Sequence, residues 1–253
     1  MNVKNTFKFI AGLLMFSLSS LASADFIGLK VGGGIWDHDV SGSIRYSTDG
    51  DVDLKNDLKL GDEQDAYSYV YIEHPVPLIP NVKVSKTGLT TAGSGAVTSV
   101  FTYGGINYTA GVNINSELVL DHQDVTLYYE ILDNFVSLDI GLTGKIFDGM
   151  VTITNVDTST TSAYELTGTI PMLYAAVSVE LPLTGLTLGI EGNMVGIGDS
   201  EISDIVAKVS YETSFALGFE AGIRTVSVKL DNLDTTFSSM EFSGPFANLF
   251  LHF

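Results

Sequence analysis

The sequence predicts an all-β chain that closes into a single antiparallel up-and-down transmembrane barrel of about ten strands. Four observations predict it. Apolar and polar residues alternate along many short segments, the period of a strand. No stretch after Ala24 resembles the run of about 20 apolar residues that a spanning helix needs. Yet the mean hydropathy is +0.28, high for an exported chain with 30 acidic residues among 253. The connections between the alternating segments also sort by length, long then short.

The N-terminus reads as an export signal. Lys4 and Lys8 supply the basic region, residues 9–21 the apolar run, and Ala22-Ser23-Ala24 a small-x-small cleavage site. Residues 1–24 are therefore expected to be cleaved. The barrel domain is then 25–253, which is 229 residues (253 minus 24). Removing Lys4 and Lys8 from the 12 basic residues leaves 10 against 30 acidic ones, a formal charge of −20. Such a chain lacks the cations that displace counterions from nucleic acid. It has no cysteine, hence no disulfide and no thiolate metal site.

The strands follow in order. Ile27, Leu29, Val31, Gly33 and Ile35 form one face of the first. Residues 67–74 and 81–90 give the second and third, with faces harder to assign. Val125, Leu127, Tyr129 and Ile131 then oppose Asp124, Thr126, Tyr128 and Glu130. The clearest segment sets Val136, Leu138, Ile140 and Leu142 against Ser137, Asp139, Gly141, Thr143 and Lys145. Residues 173–180, 186–191, 205–212 and 215–224 repeat the pattern, and 242–253 ends it. The first three strands are the least regular, which leaves eight strands as the alternative count. Pro245 lacks an N–H and requires a bulge or a break in the ladder.

Four connections are short (75–80, 132–135, 182–185 and 213–215). Five are longer (about 37–65, 91–123, 148–164, 195–204 and 230–241). Strict alternation places both ends of the barrel on one side, with short periplasmic turns and longer outer loops. In the 91–123 connection, Ile106, Tyr108, Val112 and Ile114 point to a hairpin above the membrane.

Charge placement agrees with this architecture. Lys30, Glu130, Asp139, Lys145, Glu191, Lys208, Glu212, Glu220 and Arg224 fall on the polar face or at its ends. A Lys or Arg turned to lipid near the midplane would cost about 2–4 kcal/mol. The expectation is a narrow lumen plugged by paired charges.

The chain resembles small proteobacterial outer-membrane β-barrel proteins, particularly an uncharacterised group of them. The signal peptide, the Glu73-His74-Pro75-Val76-Pro77-Leu78-Ile79-Pro80-Asn81 turn, the acidic Asp53-Leu54-Lys55-Asn56-Asp57-Leu58 segment and the final Phe253 carry the resemblance, which covers the whole chain. It implies residence in the bacterial outer membrane, contact with its lipid and lipopolysaccharide, and transit past periplasmic chaperones. Leu249, Leu251 and Phe253 then resemble the signal read by the barrel-assembly machinery. The resemblance implies no activity.

Chemistry candidates are few. His38 beside Asp39, and Asp121 beside His122, lie near the predicted outer rim, where ten-stranded outer-membrane proteases hold acids and a His. A carboxylate that orients an imidazole is sound base chemistry. But four His among 30 acids give adjacent pairs by chance, and no wider motif of those proteases is present. Asp49, Asp51 and Asp53 alternate as in calcium loops, without the glutamate that completes one. Glu73-His74 supplies two ligands, short of a closed metal site; the prolines around it make a stiff turn. The reading is a structural or binding barrel at the cell envelope, with no turnover and no cofactor. A porin-like, cation-preferring channel and a rim hydrolase are the alternatives.

Overall fold

A computed structural model describes residues 27–46, 50–76, 78–233 and 236–253. The signal peptide, Asp49 and Pro77 lie outside the described residues. Fourteen strands are present: β1 (Gly28–Tyr46), β2 (Val52–Asp53), β3 (Glu63–Glu73), β4 (Asn81–Thr87), β5 (Thr90–Ala96), β6 (Phe101–Tyr103), β7 (Ile106–Tyr108), β8 (Asn113–Asp133), β9 (Val136–Asn155), β10 (Thr160–Leu181), β11 (Leu186–Ile197), β12 (Ser200–Glu212), β13 (Leu217–Leu233) and β14 (Thr236–His252). The described residues contain no helix.

Ten strand positions close the barrel. Each strand pairs antiparallel with its neighbour in sequence, and β14 returns to pair with β1. β4 and β5 share one position. They meet β8 in a single register, from Asn81↔Tyr128 through Thr87↔His122 to Thr90↔Val119, interrupted only at Gly88 and Leu89. β2 is a short addition to β1, and β6 and β7 make a separate hairpin in the 97–112 connection. That hairpin is where Ile106 and Tyr108 pointed.

Most of the long connections expected from sequence are strand. β8, β9 and β10 run for 21, 20 and 22 residues, whereas crossing a membrane takes about 9–11. The surplus, at about 3.3 Å per residue, stands above the membrane as wall. The 195–204 connection shrinks to a turn between Ile197 and Ser200, and 148–164 to the residues between Asn155 and Thr160. Among the described residues, the stretches that stay long outside the barrel wall are 50–62 and 97–112. Pro245 lies inside β14. The β1–β14 ladder skips from Trp36↔Phe246 to Asp39↔Ser243 around it, while β13 stays paired through Ile223↔Pro245.

The wall changes sense partway up. On the lower part of β9, Ile140, Leu142 and Ile146 face outward and exposed, while Thr143 and Lys145 are buried inside. Higher on the same strand Phe147, Val151 and Ile153 are buried inside, and Asp148 faces out. β1 switches after Ile35, β8 above Val125, and β13 after Ile223. On the adjacent β8 and β9 the change falls at neighbouring positions, because the register pairs Gln123 with Ile146. The expectation of apolar-out, charge-in therefore holds below the change and is reversed above it. Apolar side chains also ring the short turns at the bottom: Leu78, Phe135, Leu183 and Phe215 are all exposed there.

Candidate functional site in the barrel lumen

The lower lumen is filled by ion pairs. Arg224 on β13 donates from Nε and Nη2 to the two carboxylate oxygens of Asp204 on β12, at 2.9 and 2.7 Å. Lys145 on β9 bridges Asp204 and Asp124, each at 2.9 Å. A second cluster adjoins it. Lys83 reaches Glu191 at 2.8 Å and Lys30 reaches Glu220 at 2.8 Å. Lys208 lies between those two acids, at 3.5 and 3.6 Å. Tyr69 donates to Glu220 (2.8 Å) and Tyr71 to Glu191 (3.0 Å). Strand alternation puts all these side chains on the inner face, and a charged group there needs a partner once water is excluded.

This layer tightly fills the bore. The voids left among these side chains are about 10 Å³ each, near the space of one water. Five cations (Lys30, Lys83, Lys145, Lys208, Arg224) meet four carboxylates (Asp124, Glu191, Asp204, Glu220). The acidic excess of the chain therefore does not line the constriction. Three predicted lumen charges lie elsewhere. Glu130 and Glu212 are exposed at the short-turn mouth, where Glu212 meets His252 at 3.1 Å. Asp139 is half-buried just inside the same end. That mouth is an open cup of about 550 Å³ that also includes Glu73 and Asp133.

Above the ionic layer the lumen is apolar. Trp36, Phe242, Leu118, Ile153 and Val226 pack into one core, closed from above by the first loop. Asp53 starts a turn there: its Oδ1 accepts from the backbone N–H of Lys55 (3.0 Å) and Asn56 (2.7 Å). Leu58 N–H then bonds Asp53 O at 3.1 Å and Leu60 N–H bonds Leu54 O at 3.0 Å. The turn drives Leu54, Leu58 and Leu60 into the core, where each is at most 3 % exposed. Lys55 clamps the loop to the rim through Asp39 and, at 3.8 Å, Asp62. The hydrogen bond to Lys55 holds the Asp39 carboxyl below the usual carboxylate range. The hydrogen bond that the Asp62 carboxyl donates to Asp39 pushes Asp62 up.

The strand pleat divides the predicted catalytic pairs. His38 and His122 point inward and are buried; Asp39 and Asp121 point outward. His38 Nε2 lies 3.0 Å from Asp65 instead. His122 Nδ1 lies 2.9 Å from Leu120 O and its Nε2 3.3 Å from Arg224. Asp121 accepts from the Leu89 N–H at 2.9 Å and so bridges the interruption between β4 and β5. Of the cation candidates, Asp51 is exposed and faces Arg45 at 3.6 Å, and the Asp53 carboxylate is committed to the turn. Among the described residues, His122, Asp124 and Asp204 do converge, with ligand atoms within 4.8 Å. Lys145 and Arg224 already neutralise those carboxylates, so the set functions as an ion-pair cluster. Leu249 and Phe253 turn outward and exposed, and Leu251 partly so.

The chain matches no known protein family and no curated protein. Among solved structures it is similar to the outer membrane protease OmpT from Escherichia coli, at 10% identity over 92% of this chain and 99% of that one, with a TM-score of 0.48. It is also similar to the transport unit of the autotransporter AIDA-I from Escherichia coli (10% identity, 92% and 93% covered, TM-score 0.39). A third is Ail, the attachment invasion locus protein of Yersinia pestis (8% identity, 88% and 99% covered, TM-score 0.36). At such similarity no activity carries over to this chain.

Proposed function

We propose that this chain is an integral protein of the bacterial outer membrane with a sealed bore and a structural or binding role at the envelope. The observation that carries the reading is the pairing of an apolar outer belt with a lumen blocked by cross-bridged charges. A closed barrel satisfies its backbone groups internally, which lipid demands. The ion pairs fill the bore and leave voids of about 10 Å³, which supports a sealed barrel over the cation-preferring channel. Export through the signal peptide, passage with periplasmic chaperones and insertion by the assembly machinery through Leu249, Leu251 and Phe253 complete the proposal. Outer-membrane lipid and lipopolysaccharide are the partners that meet the belt and the upper wall. The rim hydrolase gains nothing from His38 and His122, which lie buried within the wall.

Two measurements test it. Outer-membrane extracts should give a band whose gel migration in detergent changes on boiling; a band that ignores boiling counts against the barrel. Purified protein in planar bilayers should pass no single-channel current. Steady cation-selective steps would replace the sealed barrel with the channel.

A further inference from the structure

Among the described residues, β10 forms no strand ladder along one edge above Leu173. On one side it pairs with β9 along its whole length, from Thr160↔Asn155 to Val179↔Val136. On the other it pairs with β11 only from Leu173↔Met194 down to Leu181↔Leu186. Above Leu173 that ladder stops, although β11 continues to Ile197. Pro171, which has no N–H to give a ladder, stands two residues past the last pair. The barrel is thus closed through the lower belt, and a seam opens at the belt's upper edge, where Leu173 lies opposite Leu142, and rises above it.

A cavity lies behind this seam. It measures about 190 Å³ and is walled by Leu120, Phe147, Ile170, Ile202, Val228 and Met240 among others. Leu166 and Gly168 line it from the inner face of β10, and Glu165 and Thr167, which face outward, line it too. A space touched by both faces of one strand passes around that strand's free edge. Gly168 sharpens the point. A Cβ built there would meet nothing within 4 Å, so the glycine holds the space open.

We infer that this cavity is a binding site for a small uncharged apolar molecule that reaches it sideways, through the seam above the belt. The size fits: an apolar cavity of about 150 Å³ stays dry and binds benzene, so about 190 Å³ suits one aromatic ring or an alkyl group of similar bulk. The position fits as well. The ionic layer blocks passage from below and the Leu54–Leu58–Leu60 turn covers the core from above. The seam stands at the upper edge of the belt, where an apolar solute dissolved in lipid arrives. The route of access rests on the membrane reading; the cavity itself does not.

The test uses the full barrel in lipid nanodiscs and an apolar photoreagent, 3-trifluoromethyl-3-phenyldiazirine, with labelled peptides mapped by mass spectrometry. Inward-facing Leu166, Ile202 and Val228 should be labelled, and excess toluene should suppress that labelling at least fivefold. Outward Ile140 and Leu142 should be labelled without saturation. Gly168→Phe should remove the inward labelling and keep heat-modifiable migration. The chain has no cysteine, so Thr167→Cys carrying a bulky maleimide should also block inward labelling, while the same adduct on Thr154→Cys should not. Inward residues left unlabelled beside a labelled belt would overturn the site. Unsaturable inward labelling indifferent to Gly168→Phe would overturn it equally. Equal labelling with both adducts would overturn the lateral route. An unlabelled belt would instead break the membrane reading and leave the cavity result legible.

Discussion

The lower part of the barrel keeps its charges inside and its apolar residues outside; the upper part does the opposite. One set of strands builds both. On β13, Glu220 and Arg224 fill the lower lumen while Phe219 and Ile223 face out; three residues later Val226 and Val228 are the buried ones, and Lys229 is exposed. The difference shows that strand alternation alone does not decide which face is the core. The surrounding solvent decides it. Lipid accepts the apolar face and leaves the charges to pair in the bore. Water above the membrane reverses the preference, and the overhanging wall folds like a soluble barrel around an apolar core.

The largest effect expected is in the lower tier. Asp204→Ala strips Arg224 and Lys145 of a shared partner at full burial. Removing one member of a buried ion-pair cluster costs about 3–5 kcal/mol. Urea unfolding in lipid vesicles should show that loss. A change below about 1 kcal/mol would mean that the lower lumen is hydrated, and the contrast between tiers would weaken. Next comes the belt itself. Ile140→Arg places a cation in lipid and should cost about 2–4 kcal/mol. Thr154→Arg, outward on the same β9 strand but above the belt, should leave the unfolding midpoint unchanged. Equal costs would abolish the boundary that divides the two tiers.

The boundary was written in the sequence, though not in the period. Where the inner face turns from polar to apolar on β1, β9 and β11, two apolar residues stand side by side: Ile35-Trp36, Ile146-Phe147 and Met194-Val195. A period-two reading finds a phase break there and ends or begins the strand. For that reason 148–164 and 195–204 looked like loops when they are largely wall. The barrel and its ten positions were legible because each clear strand crosses the belt with one uninterrupted phase. The ion-pair partners were not. Lys83 meets Glu191 across 108 residues of chain, and only closure of the sheet sets that distance. Lys83 and Asp124 were both on the polar face by parity, yet nothing local marked them as partners of Glu191 and Lys145. The cavity was hidden too, since it depends on where the β10–β11 ladder stops. Pro171 and Gly168 were its only local signs.

The upper tier should yield more gently than the lower. Leu58→Ala deletes buried apolar volume from the turn that covers the core. A rigid site would cost about 2–5 kcal/mol, but a loop can settle into the space, so about 2 kcal/mol is expected. Accelerated proteolysis at 50–62, with an unchanged belt, would report the opening. Loss of the whole barrel at once would show that the two tiers unfold as one unit.

The smallest effect concerns the rim clamp and pH. Asp39 has its carboxyl pKa lowered by the hydrogen bond from Lys55, and Lys55 has its own raised, chiefly by the same bond. A lowered carboxyl adds stability that is present above its unfolded value, about 3.9, and lost as pH falls through the lower folded value. A raised amine adds stability that is present below its unfolded value, about 10.4, and lost as pH rises through the higher folded one. The clamp is therefore complete across the neutral range and released at both ends. Both groups are largely exposed, so solvent screening limits the bond to a few tenths of a kcal/mol. Amide hydrogen exchange of Leu58 and Leu60, corrected for intrinsic rates, should show opening rise about twofold below pH 3. Lys55→Met should remove that dependence while leaving the exchange of β9 amides in the belt unchanged. A pH response that persists in Lys55→Met would move the switch away from the Lys55–Asp39 pair.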